Sequence, residues 1–186
     1  ILPEYAKQTT LHIYNQSLPA AIMRITLGPE SYLSWNNVLI PIGARLLTYS
    51  FAAAICLFAM RMLFKRSHMA VPLGGALLLA LIPLITPVGW GYTFMLAIPL
   101  MVTALRLAED RSSLFKSVVS VACTAFFAPS YFSSGLSAVG AIPAAVLYNR
   151  YCLATLCLMA AVIYAWIRKP SVTAQSAKSA KSTEAA

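Results

Sequence analysis

Five separate apolar runs recur along the chain, each near the length that crosses a bilayer, and this repetition limits the possible folds more than any single motif. Crossing the hydrocarbon takes about 20 residues as a helix. On that basis the spans fall at Leu46 to Phe64, Met69 to Thr86, Tyr92 to Leu107, Ser117 to Ser133 and Tyr151 to Ile167. The fourth is the most polar, holding Ser120, Thr124, Pro129 and Ser130. The stretch Leu136 to Leu147 behind it is too short to cross and is broken by Gly140 and Pro143, which suits a re-entrant or interfacial segment. With 60% hydrophobic and 10% charged residues over 186 positions, and a mean hydropathy of +0.75, the chain has more apolar surface than a soluble domain of this size can bury. The expected fold class is all-α: a polytopic membrane protein of about five transmembrane helices plus a short interfacial helix.

The balance of 14 Lys+Arg against 5 Asp+Glu superficially suggests a nucleic-acid partner. These charges sit at the ends of apolar runs, however, and form no stripe interleaved with aromatics, so topology accounts for them and no nucleic acid is expected. One set of connections holds Arg61, Lys65, Arg66, Arg106, Arg111, Lys116, Arg168, Lys169, Lys178 and Lys181, and the other holds Lys7, Arg24, Arg45 and Arg150. Cytoplasmic loops carry the excess of Lys and Arg. Ten against four therefore places residues 1–45 outside, a helical bundle over residues 46–167, and a basic tail over residues 168–186 inside. The location expected is the cell membrane, with the chain passing through several times. The tail from Pro170, rich in Ala, Ser and Lys, has no large apolar residues from which to build a core and is expected to be disordered. Its cations can rest on anionic membrane lipids, although a solvated tail that helps set topology explains them more simply. The chain begins with Ile1 and shows no secretory signal, so it reads as a piece of a longer protein whose missing N-terminal half carried this end across.

Cys56, Cys123, Cys152 and Cys157 lie within apolar runs without metal-like spacing and read as small core residues. His12 and His68 have no companions spaced as ligands, so no metal site is expected from this chain alone.

The first 45 residues hold the most concentrated polarity. Asn15-Gln16-Ser17 reads as the start of a short helix, with Pro19 at an early helical position, Leu18, Ile22 and Ile25 on one apolar face, and Gly28-Pro29 at its end. Such a helix would lie along the membrane surface with Arg24 near headgroup level, its N-terminal amides favouring an anion such as a phosphate. An ordinary interfacial helix, merely capped by Asn15, Gln16 and Ser17, fits the same spacing. Asn15-Gln16-Ser17 also matches an N-glycosylation sequon, a pattern too short to weigh.

Ile1-Leu2-Pro3, then Asn15-Gln16-Ser17-Leu18 followed by Arg24, and later Thr86-Pro87-Val88-Gly89-Trp90-Gly91-Tyr92 leading into an apolar helix with Pro99, together resemble the C-terminal half of glycosyltransferase family 87. That family belongs to the C-type (GT-C) membrane glycosyltransferases and includes mannosyltransferases that use polyprenyl-phosphate sugars. The resemblance covers about the first 105 residues. It implies a hexosyltransferase taking a sugar from a polyprenyl-phosphate donor on the outer face of the plasma membrane and passing it to a lipid or glycan acceptor, with no cofactor. It places Asn15, Gln16, Ser17 and Arg24 near the donor phosphate, and Trp90 and Tyr92 beside the substrate groove. Trp90 equally suits an aromatic belt. Many relatives carry a histidine at the position of Tyr92; a tyrosine can donate a hydrogen bond to a phosphate but supplies no cation.

The family's catalytic aspartate lies upstream of this chain, so no residue here inherits that role. Glu4 and Glu30 are the acids expected outside and neither is expected to be catalytic, Glu30 reading as a solvated or Arg-paired side chain; Arg45 reads as an interfacial anchor or, like Arg24, as a clamp on phosphate oxygens. The competing class is a non-enzymatic membrane component, such as part of a transporter or an assembly subunit. Transporters tend to carry charges within spans and internal repeats, neither of which is visible here, although Pro83, Pro87 and Pro99 leave room for a broken-helix site.

Overall fold

The computed structural model describes residues 8–10, 12, 14–28, 36–65, 70–86, 91–127 and 146–168. In chain order these form β1 (Gln8–Thr10), α1 (Leu18–Leu27), β2 (Asn37–Leu39), α2 (Ile42–Phe64), α3 (Ala70–Ile85), a 3-10 segment (Gly91–Ala97), α4 (Ile98–Ala108), α5 (Ser113–Phe127) and α6 (Arg150–Ile167). The expectation of an all-α chain needs one correction. β1 and β2 pair antiparallel, with Gln8 opposite Leu39, Thr9 opposite Val38 and Thr10 opposite Asn37. Three-residue strands are too short to show an alternating pattern. The ladder is also non-local, with α1 inserted between its two strands.

The helices follow the five apolar runs. α2 and α6 are long and apolar enough to cross a membrane by length and composition, whereas α3 and α5, at 16 and 15 residues, are shorter. The third run divides at Pro99, which has no N–H to give an internal helix bond and sits in the first turn of α4. The seven residues before α4 wind as the tighter 3-10 helix. At about 2.0 and 1.5 Å rise per residue, the two pieces together reach about 30 Å. α5 starts at Ser113 and its described part ends at Phe127. Trp90, Glu4, Glu30, most of Leu136 to Leu147 and the tail from Lys169 lie outside the described residues.

α3 sits at the centre, packed by α2, α4, the 3-10 segment, α1 and α6, while α6 packs on α4 and α5. Its sequence is apolar all round, on the buried face and on the face that leaves Val71, Leu79 and Ile82 exposed. Small residues allow the close approach. A Cβ on Gly74 would meet the Ala59 carbonyl at 3.1 Å, and Ala52, Ala59, Ala76, Ala80, Ala104, Ala154 and Ala165 are all buried. Ile55 and Met62 of α2 point into the bundle, while other large apolar side chains point away, with Leu57 72% and Phe64 77% exposed.

Hydroxyls in the long helices turn back on their own backbone. Thr48 donates to the Ala44 carbonyl at 2.9 Å, Thr103 to Pro99 at 2.7 Å, Thr124 to Ser120 at 2.9 Å and Thr155 to Tyr151 at 2.8 Å. Each satisfies itself one turn back, without needing water.

The bundle has two chemically distinct ends. At one, the segment before α1, the 3-10 segment and the start of α6 meet, with Phe94 stacked on Tyr151 at 5.8 Å between centroids. At the other, Arg111 from the α4–α5 connection donates to the Ala165 and Arg168 carbonyls at 2.8 and 2.9 Å, closing the C-terminus of α6.

Candidate functional site

The polar residues singled out in the sequence come together at the first of these ends, and they are buried. Ser17 caps α1, its hydroxyl accepting from the Ala20 N–H at 3.4 Å, and Gly28 ends the helix at φ +85°, a conformation that favours glycine. Asn15 shapes the approach. Its Oδ1 accepts from the Ser17 N–H at 3.2 Å, its Nδ2 donates to Thr9 Oγ1 at 3.0 Å, and its own N–H donates to the His12 carbonyl at 2.8 Å. The first bond is a turn-forming Asn contact that directs the chain into α1, and the second ties that turn to β1.

Gln16 reaches across the fold. Its Nε2 donates to the Tyr148 carbonyl at 2.5 Å, and its Oε1 accepts from the Tyr151 N–H at 3.3 Å. The Tyr151 amide belongs to the first turn of α6, where backbone donors have no partner within the helix.

Arg24 is completely buried. Its Nε and Nη2 both donate to Asn149 Oδ1, at 3.0 and 2.5 Å, and Nη1 donates to the His12 carbonyl at 3.0 Å. These described bonds all go to neutral oxygens. Arg24 was expected near headgroup level on a surface helix, and the structure buries its side chain within the protein. α1 turns Pro19, Ala20, Ala21, Met23 and Arg24 inward against α2 and α3, leaving Ile25 and Leu27 exposed. The inward face is the one whose alanines let backbones approach, not the Leu18–Ile22–Ile25 face.

His12 is buried beside this guanidinium, and its Nδ1 accepts from the Tyr14 N–H at 3.4 Å. Burial first, and the Arg24 charge second, hold its pKa below the ordinary 6.5, so the ring stays neutral near neutral pH.

Thr9, His12 and Asn149 complete the buried cluster, and Arg150 stands at its edge. None was expected there as part of the site: His12 was weighed only as a metal ligand and Arg150 only for topology. The available signal was Asn149 immediately before the last apolar run, a residue type that starts helices. Tyr92 occupies the second position of the 3-10 segment, and Trp90 falls outside the described residues. Arg45 lies in the first turn of α2 with its Nε buried and without a hydrogen-bond partner. Among the described residues no three His, Cys, Asp or Glu side chains gather as for a metal. The four cysteines are free thiols: Cys123 and Cys152 buried, Cys56 half-buried and Cys157 exposed.

Beside Arg150 an apolar seam opens between α5 and α6. One cavity of about 380 Å³ is lined by Val118, Val121, Ala122, Ala125, Leu153 and Arg150, among others. A second, of about 400 Å³, shares Val118 and Cys157 with the first and continues past Phe115 to Tyr164. From Arg150 to Tyr164 the seam runs about 21 Å along the helix. Arg150 lies over the Tyr151 ring, 4.7 Å from its centroid. No family model, curated protein or solved structure matches the chain.

Proposed function

We propose that this chain is the C-terminal part of a polytopic membrane glycosyltransferase, which moves a sugar from a polyprenyl-phosphate donor to a lipid or glycan acceptor on the extracytoplasmic face. The observation that carries the reading is the seam between α5 and α6 with a guanidinium at one end. An isoprenoid chain is a long apolar body with a terminal phosphate, and it calls for an extended apolar groove ending in a cation. Arg150 donates Nη1 to the Leu147 carbonyl at 3.4 Å, and a guanidinium holds N–H groups enough to meet phosphate oxygens as well. The positive end of the α6 dipole adds to the attraction.

The membrane part of the reading draws on three features: outward-facing Leu57 and Phe64 on α2, small residues between the helices, and threonine hydroxyls bonded to their own helices. In this reading Asn15, Gln16, Ser17 and Arg24 position the donor end from beneath. They hold the start of α6, and so Arg150, at a fixed place over the seam. Trp90 and Tyr92 remain the groove residues implied by the resemblance to family 87, and the proton-accepting carboxylate comes from upstream of this chain.

The inward-turned polar cluster also favours a second reading, a non-enzymatic membrane component in which these bonds serve the fold alone. Sugar transfer from a polyprenyl-phosphate donor, assayed in membranes carrying the full-length protein, separates the two. Arg150→Ala, which removes one charge-assisted contact, and Val121→Trp, which fills the groove, are each expected to raise the donor KM about tenfold or more. Transfer by the wild type with donor KM unchanged in both variants refutes the seam assignment, and absence of transfer in the wild type favours the second reading.

A further inference from the structure

The opposite end of the bundle carries a separate cavity. It has a volume of about 310 Å³, opens between the C-terminal ends of α2 and α6, and is lined by Phe58, Arg61, Met62, Lys65, Trp166 and Ile167. Arg61 and Lys65 are one helical turn apart on α2 and both exposed. Among the described residues no carboxylate or carbonyl bonds to either head group, and the Lys65 ammonium rests 5.9 Å from the Trp166 ring centroid. Arg111 at the same end spends its guanidinium on backbone carbonyls. Like charges four residues apart repel, and an anion between them removes the conflict. Cations in the last turn of a helix also offset its dipole. That accounts for the two charges, but not for a cavity walled by them on one side and by an indole on the other.

We infer that this cavity binds the phosphate headgroup of an anionic phospholipid from the cytoplasmic leaflet. The inference rests on the membrane-spanning reading but not on glycosyl transfer. Volume and lining both fit. About 300 Å³ is the lower end for a small-molecule site, enough for a headgroup and not for a whole lipid. Met62, Ile167 and Phe58 provide an apolar wall, while Leu57 and Phe64, the exposed neighbours of Arg61 along α2, offer a surface for acyl chains. Trp166 is the amphipathic ring expected at headgroup depth. The cavity also lies at the end bearing most of the described cations, which sequence places inside, where anionic lipid is enriched.

The test is native mass spectrometry of the full-length protein, released from micelles doped with phosphatidylglycerol or phosphatidylcholine, alone and with inorganic phosphate. The wild type is expected to retain phosphatidylglycerol preferentially. Arg61→Gln/Lys65→Gln should lower that preference roughly thirtyfold, which is about 2 kcal/mol at about 1.4 kcal/mol per tenfold. Arg106→Gln removes one cation from the same end but does not line the cavity, and should retain the lipid as the wild type does. Equal retention by the double variant, or equal loss in Arg106→Gln, overturns the site. Displacement by inorganic phosphate at matched concentration overturns the lipid as its ligand. A wild type that holds neither lipid overturns the membrane reading with it, whereas failure of the sugar-transfer assay leaves this binding untouched.

Discussion

Replacing Asn149 by alanine removes the acceptor of two guanidinium N–H groups, and the cost follows from what is left behind. Asn149 Oδ1 takes Nε at 3.0 Å and Nη2 at 2.5 Å from an Arg24 that is completely buried. A hydrogen bond to a charged group contributes about 1.5–3 kcal/mol net, and stripping a partner from a buried charge costs about 3–5 kcal/mol. With the His12 carbonyl still in place, the expected loss is about 3 kcal/mol. Arg24→Met removes the charge itself and leaves two neutral oxygens short of a donor, for about 2 kcal/mol. The double variant has neither a buried charge nor a disappointed amide. It should lose about 2–3 kcal/mol, well short of the additive sum near 5, giving a coupling of about 2 kcal/mol. The assay is unfolding of the purified protein in mixed micelles by increasing mole fraction of a denaturing detergent, followed by tryptophan fluorescence across the four proteins of the cycle. Additivity within about 0.5 kcal/mol would refute the reasoning, because it would mean that Arg24 and Asn149 do not depend on each other.

Gly74→Val should cost about 1–3 kcal/mol by overpacking, because the Ala59 carbonyl of α2, which cannot swing away, stands as close as the Leu63 side chain; Gly75→Ala, in open space, should be neutral or slightly stabilising. Comparing the two midpoints in the same detergent titration checks this, and equal midpoints would remove the close α2–α3 approach from the account. His12 makes stability depend on pH. Its pKa is lowered in the folded protein, so below the unfolded value of 6.5 the unfolded chain binds the proton more readily. The contribution is complete above 6.5 and is lost as pH falls through the lower folded value. The difference in midpoint between wild type and His12→Gln should therefore shrink or reverse on acidification; a constant difference across that window would count against it.

Local features were readable in the sequence, and features that depend on distant partners were not. The bounds of α1 were plain, because a capping serine and an early proline act within one turn of its start and a glycine acts at its end. The positions of the apolar helices followed from run length alone. Which face of each helix turns inward did not follow. When the surroundings can be as apolar as the interior, hydrophobicity ceases to distinguish in from out, and small size becomes the better guide. Hence the apolar face named in the sequence, Leu18, Ile22 and Ile25, is not the one that α1 buries, which Ala20, Ala21 and Met23 hold. Arg24 was legible as a special cation, but its burial depends on Asn149, 125 positions away, and no spacing rule spans that gap. The strands were hidden for the same reason, their partner lying beyond a helix.

Gln16 holds Tyr148 and Tyr151 across 132 and 135 residues, and this fixes an order of assembly. On a ribosome the segment before α1 emerges well before the residues of α6 that it binds. Closing so long a loop is slow compared with forming hairpins between neighbouring helices, whose contacts are local. Adjacent helices should therefore pair early, while the N-terminal segment waits until α6 is in place. Docking of Gln16 and Arg24 then becomes the closing step of folding, and a chain interrupted before Asn149 lacks the means to complete it.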